Sequence, residues 1–538
     1  MTIATSVLIV GGSLNGLSSA LFLAARGVKC LVVERHAKTT VQYKFRGISP
    51  RSMELYRGVG IEDEIRSHST GSQTAPLARL PNLASGAVTW QNMPWTDMSD
   101  LSPTSAATCD QDHLEPILRS HAERRGADVR FNTEFIDFIQ DESGIRARIR
   151  DNETRAIEDV DASYLIVADG TGGPVRQQLG IERHGPGALQ SWMNVIFEAD
   201  LEPVLAGRRY TSAFITDING TFVPREDGNR WLMAVPYRPA NGERADDFDD
   251  RRCIDLIRKG AGRPDLDITI VDARPWDAAA FVADSYRKGR AFLVGDTAHV
   301  MPPTGGFGGN TGIHDAFGLA WKLDTVLRNV AGEALLDTYE RERQRVAERT
   351  LAQALARLQS WFKDPDNTLP PPEPIVDDAA VVFGYRYAEG AIVPEASDEG
   401  NGDDVFEDPR TPTGRPGTRA AQLIVEYRGA RVSTIDLFFG KWVLLTGADG
   451  GGWIEAARRA PSTAASGLHC FAFGPRGNVI DVDKRWSSKY GVGQSGATLI
   501  RPDGFVAWRA NEARSDAVDV MRDAIERLTF KSTDAAIA

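Results

Sequence analysis

Several things are scarce in this chain, and each shortage removes a class of function. Cysteine occurs only four times in 538 residues, at Cys30, Cys109, Cys253 and Cys470, with no CxxC pair. Neither a disulfide framework nor a zinc site is therefore expected. Basic residues are outnumbered, 62 Lys and Arg against 74 Asp and Glu, and the net charge of −12 argues against nucleic acid as a partner. No apolar run approaches the roughly 18 residues of a membrane helix, so no membrane association is expected. Residues Met1 to Ala20 lack the positive n-region of a secretory signal, and Val7 to Val10 runs directly into glycines. There is no internal repeat, no nucleophile triad and no metal cluster. What remains is an ordinary globular balance, 42% hydrophobic and 25% charged, in a chain too long for one core. A soluble, cytoplasmic, multidomain protein is expected.

The N-terminal segment reads as a βαβ unit. Val7 to Val10 is a fully apolar strand, Asn15 to Arg26 carries Leu17, Leu21 and Ala24 at helical spacing, and Val28 to Glu34 is the next strand. Between the first two lies Gly11-Gly12-Ser13-Leu14-Asn15-Gly16, and Glu34 follows 23 residues beyond Gly11. This pattern suits a dinucleotide. Gly11 permits the tight turn, Gly16 lets the helix pack on the sheet, the helix N-terminus with Ser13 and Leu14 offers N–H groups to a pyrophosphate, and Glu34 can accept ribose hydroxyls. Ser13 stands where the middle glycine is usual. The pattern alone does not separate FAD from NAD.

Later segments, Trp192–Ala199, Ser212–Thr216, Gly220–Pro224 and Arg230–Tyr237, look like an antiparallel sheet inserted into an α/β protein. Their aromatics Trp192, Phe222, Trp231 and Tyr237 are read as sheet core ahead of a substrate cage. Asp169-Gly170 ends the apolar run Tyr164 to Ala168, an arrangement that is ordinarily only a turn. Gly295-Asp296-Thr297-Ala298-His299 leads into Pro302-Pro303-Thr304-Gly305-Gly306-Phe307-Gly308-Gly309-Asn310-Thr311-Gly312. Asp296 at a strand end can bind sugar-chain hydroxyls, and the glycines leave bare backbone where a flat ring can lie. A helix from about Thr311 to Asn329, begun by Asn310 and Thr311, would turn its positive end toward developing negative charge. Pro394 to Gly417 is acidic and turn-rich, a linker or wrapped loop.

This last motif resembles that of the class A flavoprotein aromatic hydroxylases, the group containing para-hydroxybenzoate hydroxylase. It continues through Asp315-Ala316, Leu319-Ala320 and Trp321-Lys322-Leu323, departing at Gly318, where the family usually has Asn. The resemblance covers residues 1 to about 395, with three flavin motifs in order. It implies that Ser13, Glu34 and Arg35 meet the AMP half of FAD, and that Lys44 and Arg46 bind the pyrophosphate side and gate the flavin. It places Gln111 at the ribityl chain, Asp296 on ribityl or pyrophosphate groups, and Pro303 beside the ring. Gly308, Gly309, Asn310 and Thr311 would line the flavin edge that becomes anionic, and Asp169 would serve FAD and NAD(P)H. His299 is read as structural and His314 as packed or exposed.

The tail from Pro416-Gly417-Thr418-Arg419 through Pro502-Asp503-Gly504 to Trp508-Arg509 is similar to the C-terminal thioredoxin-like domain of phenol and polyketide hydroxylases. Without CxxC it cannot perform thiol–disulfide chemistry, so its expected role is packing or dimerisation, the latter giving a homodimer. Gly384-Tyr385-Arg386-Tyr387 is similar to a segment of bacterial aromatic polyketide hydroxylases in which an arginine is assigned to the active site. Arg386 cannot be a base, because guanidinium stays protonated; it suits a fixed cation favouring a substrate phenolate, against the alternative of a structural salt bridge.

The expected fold is α/β. A Rossmann-like FAD-binding domain (1–70, 104–180 and 286–395) holds an inserted antiparallel-sheet substrate domain (71–103 and 181–285). A linker (396–417) leads to a thioredoxin-like domain (418–538). The implied activity is an FAD-dependent NAD(P)H monooxygenase using O2. A flavin C4a-hydroperoxide would deliver oxygen to a phenolic polycyclic aromatic, a polyketide. The rivals are Baeyer–Villiger insertion or a multistep oxidative ring rearrangement, such as rubromycin-type spiroketal formation, by the same flavin peroxide. A third reading is a non-catalytic flavoprotein that binds a reactive intermediate.

Overall fold

The computed structural model describes residues 2–40, 45–69, 76–91, 98–225, 228–361, 369–395, 405–460, 467–474 and 477–531. At its centre Thr2–Val10 runs parallel to Cys30–Val33 on one side and Ile157–Val167 on the other. Asp128–Arg130 and Ala291–Leu293 extend this sheet outward, again in parallel. Val7, Leu8 and Ile9 are wholly buried because helices cover the sheet, which is why the strand reads as an unbroken apolar run. Helix Leu14–Ala24 packs between Gln111–Arg124 and Phe307–Leu327.

A second sheet is built on the long strands Arg183–Glu198 and Thr269–Ala283, with Arg230–Tyr237, Gly220–Pro224 and Ser212–Ile215 following in antiparallel order. Its continuation, Ser212–Ile215 with Leu77–Leu80, is a parallel pairing, so the inserted sheet is not antiparallel throughout. Helix Asp250–Ala261 covers one face, burying Phe222, Met233, Val235, Cys253 and Ile257. Phe222, Trp231 and Tyr237 belong to that core, as the sequence suggests; Trp192 lies on the opposite face.

The C-terminal part carries Val443–Thr446 between parallel His469–Ala472 and antiparallel Ala497–Ile500, which forms a hairpin with Val506–Ala510. Helices Gly451–Arg459 and Ala517–Thr529 pack together against it. Residues 405–417 are a wrapped segment, not a loose linker. Arg386 N donates to Val405 O at 2.8 Å, Tyr387 N to Gly417 O at 2.9 Å, and Gly417 N to Val506 O at 2.8 Å.

Buried ions join this part to the cofactor half. Glu342 takes both Nη atoms of Arg501 at 2.7 and 2.8 Å and Lys322 Nζ at 2.7 Å. Arg51 pairs with Glu54 at 2.7 Å, donates to Asp503 O, and shares Glu54 with Arg419. Removing one partner leaves the others charged and uncompensated. Glu342→Ala is expected to destabilise the fold by about 3–5 kcal/mol, read from the denaturant midpoint. Its cations hold the Glu342 carboxyl down to about 2, against 4.5 when unconstrained. That contribution is complete above pH ~4.5 and drains away as pH falls toward ~2. A wild-type midpoint flat across this window, or a silent Glu342→Ala, contradicts the assignment.

Candidate cofactor and substrate site

The glycine loop is sterically exacting. A Cβ on Gly11, whose φ is +106°, would stand 2.2 Å from Ala168 O, and one on Gly16 would stand 1.9 Å from Gly11 O. Both glycines therefore let the helix begin flush on the strand ends. Glu34 sits where the acidic strand end was expected and takes Gly12 N at 2.7 Å and His36 N at 2.9 Å. Arg35 beside it is exposed and its charge reaches Asp169.

Ser13 does not cap its helix; its hydroxyl donates to Glu115 Oε1 at 2.5 Å. Gln111 Nε2 donates to the same oxygen at 2.7 Å, and Thr40 N to the other at 2.9 Å. Leu14 N also bonds this carboxylate, whose burial outweighs its donors and pushes its pKa up. Glu115 lies within the Gln111-xxx-Glu115 spacing, and the sequence assigns it no role. It fastens Ser13, Leu14, Gln111 and the chain after the second strand to one point, and its only signal is its place four residues after Gln111.

Asp169 is joined through Thr297 to the turn that carries Asp296. Thr297 Oγ1 donates to Asp169 at 3.2 Å and accepts from Gly170 N at 3.0 Å, while Asp169 also receives Val175 N at 3.2 Å. Burial raises the Asp169 carboxyl despite these donors. Asp296 is exposed, as is Pro303 farther along.

The flavin-motif helix starts at Phe307, a turn earlier than anticipated, so Gly308 and Gly309 form its first turn instead of a bare loop. Gly306 at φ 65° precedes it, and no side chain caps it. A Cβ on Gly309 would meet the Phe45 ring at 2.4 Å, so the glycine admits that ring. Asn310 is spent inside the protein: its Oδ1 takes Ser49 N at 2.9 Å and Ser52 Oγ at 2.7 Å, and its Nδ2 donates to Gly47 O at 2.9 Å and Gly306 O at 2.8 Å. Thr311 Oγ1 donates back to Phe307 O at 2.9 Å. These two side chains hold the helix end in place, and what the helix presents outward is backbone N–H.

Beyond Phe45 the two sheets are latched together. Arg46 Nη1 donates to Pro224 O at 2.8 Å, and its Nε lies 3.5 Å from buried Asp110. Arg225, on the hairpin after Pro224, bonds Asp112 and stands 3.8 Å from Asp110. Asp110 and Asp112 stand together at the start of helix Gln111–Arg124 while Arg225 comes from a distant hairpin, and nothing in the sequence links them. Lys44 lies outside the described residues. Arg386 is buried near Glu407, whose raised carboxyl it draws partly back. Its neighbour Tyr385 stacks on His314 with ring centroids 5.9 Å apart. Burial, with Arg343 and Arg51 close by, holds the His314 pKa well below its ordinary value, and its Nε2 is 3.1 Å from Ser52 Oγ. His299 is structural, 2.7 Å from Asp315.

Residues 4–354 match the FAD binding domain family, and residues 413–529 match the aromatic-ring hydroxylase C-terminal family. The chain belongs to the FAD-dependent aromatic-ring hydroxylases. It is 40% identical to the tetracenomycin A2 monooxygenase-dioxygenase of Streptomyces glaucescens, over 98% of this chain and 97% of that protein. It is also 40% identical to a putative polyketide hydroxylase of Streptomyces halstedii, over 94% and 93% respectively. The crystal structure of aklavinone-11 hydroxylase with FAD and aklavinone superposes with a TM-score of 0.90 at 36% identity, covering 98% of this chain and 99% of that one.

The residues of this hydroxylase fit FAD. The Gly11–Gly16 cradle admits no Cβ at either end, Glu34 is held at the loop, and the Phe307 helix end is bare. Among the described residues no helix is long and apolar enough to cross a membrane. Glu115→Gln leaves one acceptor oxygen where four donors converge. The FAD dissociation constant, followed by the fluorescence of released flavin, is expected to rise about tenfold. An unchanged constant would remove Glu115 from the cofactor site.

Proposed function

We propose that this hydroxylase uses NAD(P)H and O2 to hydroxylate a phenolic polycyclic aromatic of polyketide type, in the cytoplasm where reduced nicotinamide is supplied. The observation that carries this reading is the uncapped first turn of Phe307–Leu327, which abuts Phe45 beside the Arg46–Pro224 contact, the joint between cofactor domain and inserted sheet. The kinship to proteins named for polyketide hydroxylation and to an aklavinone complex supports the substrate class.

When bound, FAD would supply the oxygen chemistry, with NAD(P)H as reductant and O2 as oxidant, one oxygen atom entering the substrate ring and the other leaving as water. The chain supplies the setting. Backbone N–H groups at the helix end favour negative charge that develops beside them, at no cost of reorganisation. The Arg225–Asp110–Arg46 latch ties the inserted sheet to the cofactor domain, where a closed joint would keep water from the reaction. Arg386, carried over from the polyketide hydroxylases, serves as a fixed cation that favours a substrate phenolate, which is more electron-rich than the phenol. Asp169, with Thr297, is assigned to FAD and NAD(P)H handling.

A second reading has its own support. The Streptomyces glaucescens relative is named a monooxygenase-dioxygenase, which favours delivery of more than one oxygen atom in sequence.

The test is NADPH oxidation by the holoenzyme under ¹⁸O₂ with a panel of phenolic polycyclic quinones, the product masses being recorded. Substrate-stimulated oxidation with one labelled hydroxyl is the expected result. More than one labelled oxygen favours the second reading, and a labelled lactone favours Baeyer–Villiger insertion. Tight binding of a polycycle with no stimulation overturns the enzymatic reading in favour of a flavoprotein that shields its ligand.

A further inference from the structure

The inserted sheet has two faces, and the one turned away from helix Asp250–Ala261 buries Ile196 and Leu232 but leaves its two indoles half-buried. Met193, Val195 and Phe197 point to the core beneath helix Asp250–Ala261. Trp192, Asn194 and Ile196 therefore occupy the other face, with Trp276 paired directly across from Trp192. The two indoles stack with centroids 6.0 Å apart and planes within 16°. Trp276 Nε1 donates to Asn194 Oδ1 at 2.7 Å, which fixes the plane of that ring. Asn194 is buried, yet both indoles are only half-buried, and neither packs against an apolar cluster of the described residues. Two large flat side chains are thus held rigid with no core to fill.

The same face looks onto the cofactor domain. Asn194 pairs with Ala234, which pairs with Thr221, and the alternation continues through Val223 to Arg225, the residue that grips Asp110 and Asp112. In the other direction Trp276 shares its face with Ala280 and Val282, both part of the cofactor-domain core. The indole pair lies between these two anchors on the same face.

The geometry points to Trp192 and Trp276, oriented by Asn194, as a stacking platform that selects fused multi-ring substrates over single-ring phenols. This rests on the hydroxylase reading and names its specificity residues. A fused ring system has a flat face broad enough to extend the stack from an outer face of this indole pair while another of its rings reaches the reacting position, whereas a single phenol cannot do both. Aromatic contacts of this kind are geometrically selective and add to the area they bury. The indole held by Asn194 costs little further ordering when a ligand stacks on it.

The experiment is calorimetric titration of the FAD-loaded enzyme with alizarin, a three-ring phenolic quinone, and with catechol, alongside NADPH consumption in each case. Trp276→Leu and Trp192→Leu are each expected to weaken alizarin binding about fivefold to tenfold. Catechol binding and FAD content should stay unchanged, and Trp276→Phe should restore most of the loss. KM for alizarin should rise with kcat held. Equal weakening of both ligands, or none of either, overturns the platform while leaving the hydroxylase reading intact. Selective loss of alizarin binding in an enzyme that never consumes NADPH upholds the platform and sinks the hydroxylase reading. A wild type that binds no alizarin overturns the platform outright.

Discussion

Asp315 sits part-way along the Phe307–Leu327 helix, closed off from water, and three separate stretches of chain are located by what it holds. One oxygen accepts His299 Nε2 at 2.7 Å and Gly295 N at 3.3 Å, pinning the turn that displays Asp296. The other accepts Arg343 Nε at 2.8 Å, from the helix Asp337–Trp361. Arg343 in turn reaches Thr311 O at 3.4 Å and Tyr387 Oη at 3.3 Å, so the tyrosines beside Arg386 are placed by the same carboxylate. These neighbours hold the Asp315 carboxyl down to about 2. An ionised group without water is tolerable only when it is paired and hydrogen-bonded, and here that demand fixes the spacing between cofactor turn, helix and Tyr385–Tyr387 segment.

Around this knot the two dinucleotide-type helix ends are treated differently. The Leu14 end is served by a borrowed carboxylate, Glu115, which gathers the loop from several directions. The Phe307 end receives no side chain at all; instead Asn310 and Thr311 turn inward and brace it. One terminus is shaped for a ligand gripped along its length, and the other keeps its backbone dipole unspent for charge that appears beside it.

How much of this the sequence discloses follows from what kind of atom makes each contact. Where the backbone shapes the loop, the requirement falls on glycines and strand ends, which leave a local, readable pattern: Gly11, Gly16 and Glu34 sit at the strand–turn–helix positions that their spacing gives, whereas the helix expected from Thr311 begins at Phe307. Where distant side chains meet, no local pattern exists. Arg225 reaches Asp112 across 113 positions, and Arg501 reaches Glu342 across 159. Asn310 was legible as a position but not as an orientation, because four donors and acceptors from other segments decide where its amide points. The half-cored aromatic set divides for a similar reason. Strand alternation separates Trp192 from Phe222, Trp231 and Tyr237 only once the register between strands is known.

The joint between the cofactor half and the C-terminal part has a consequence for how such enzymes can be recombined. Glu342, Lys322, Arg51 and Glu54 lie in the first half, while Arg501, Asp503 and Arg419 come from the second, and all are buried. A tail grafted from a relative brings only its own side of each ionic contact. Unless the matching residues travel with it, the chimera is left with unpaired charges sealed in its seam. The two parts look modular along the sequence, but inheritance must handle them as one unit.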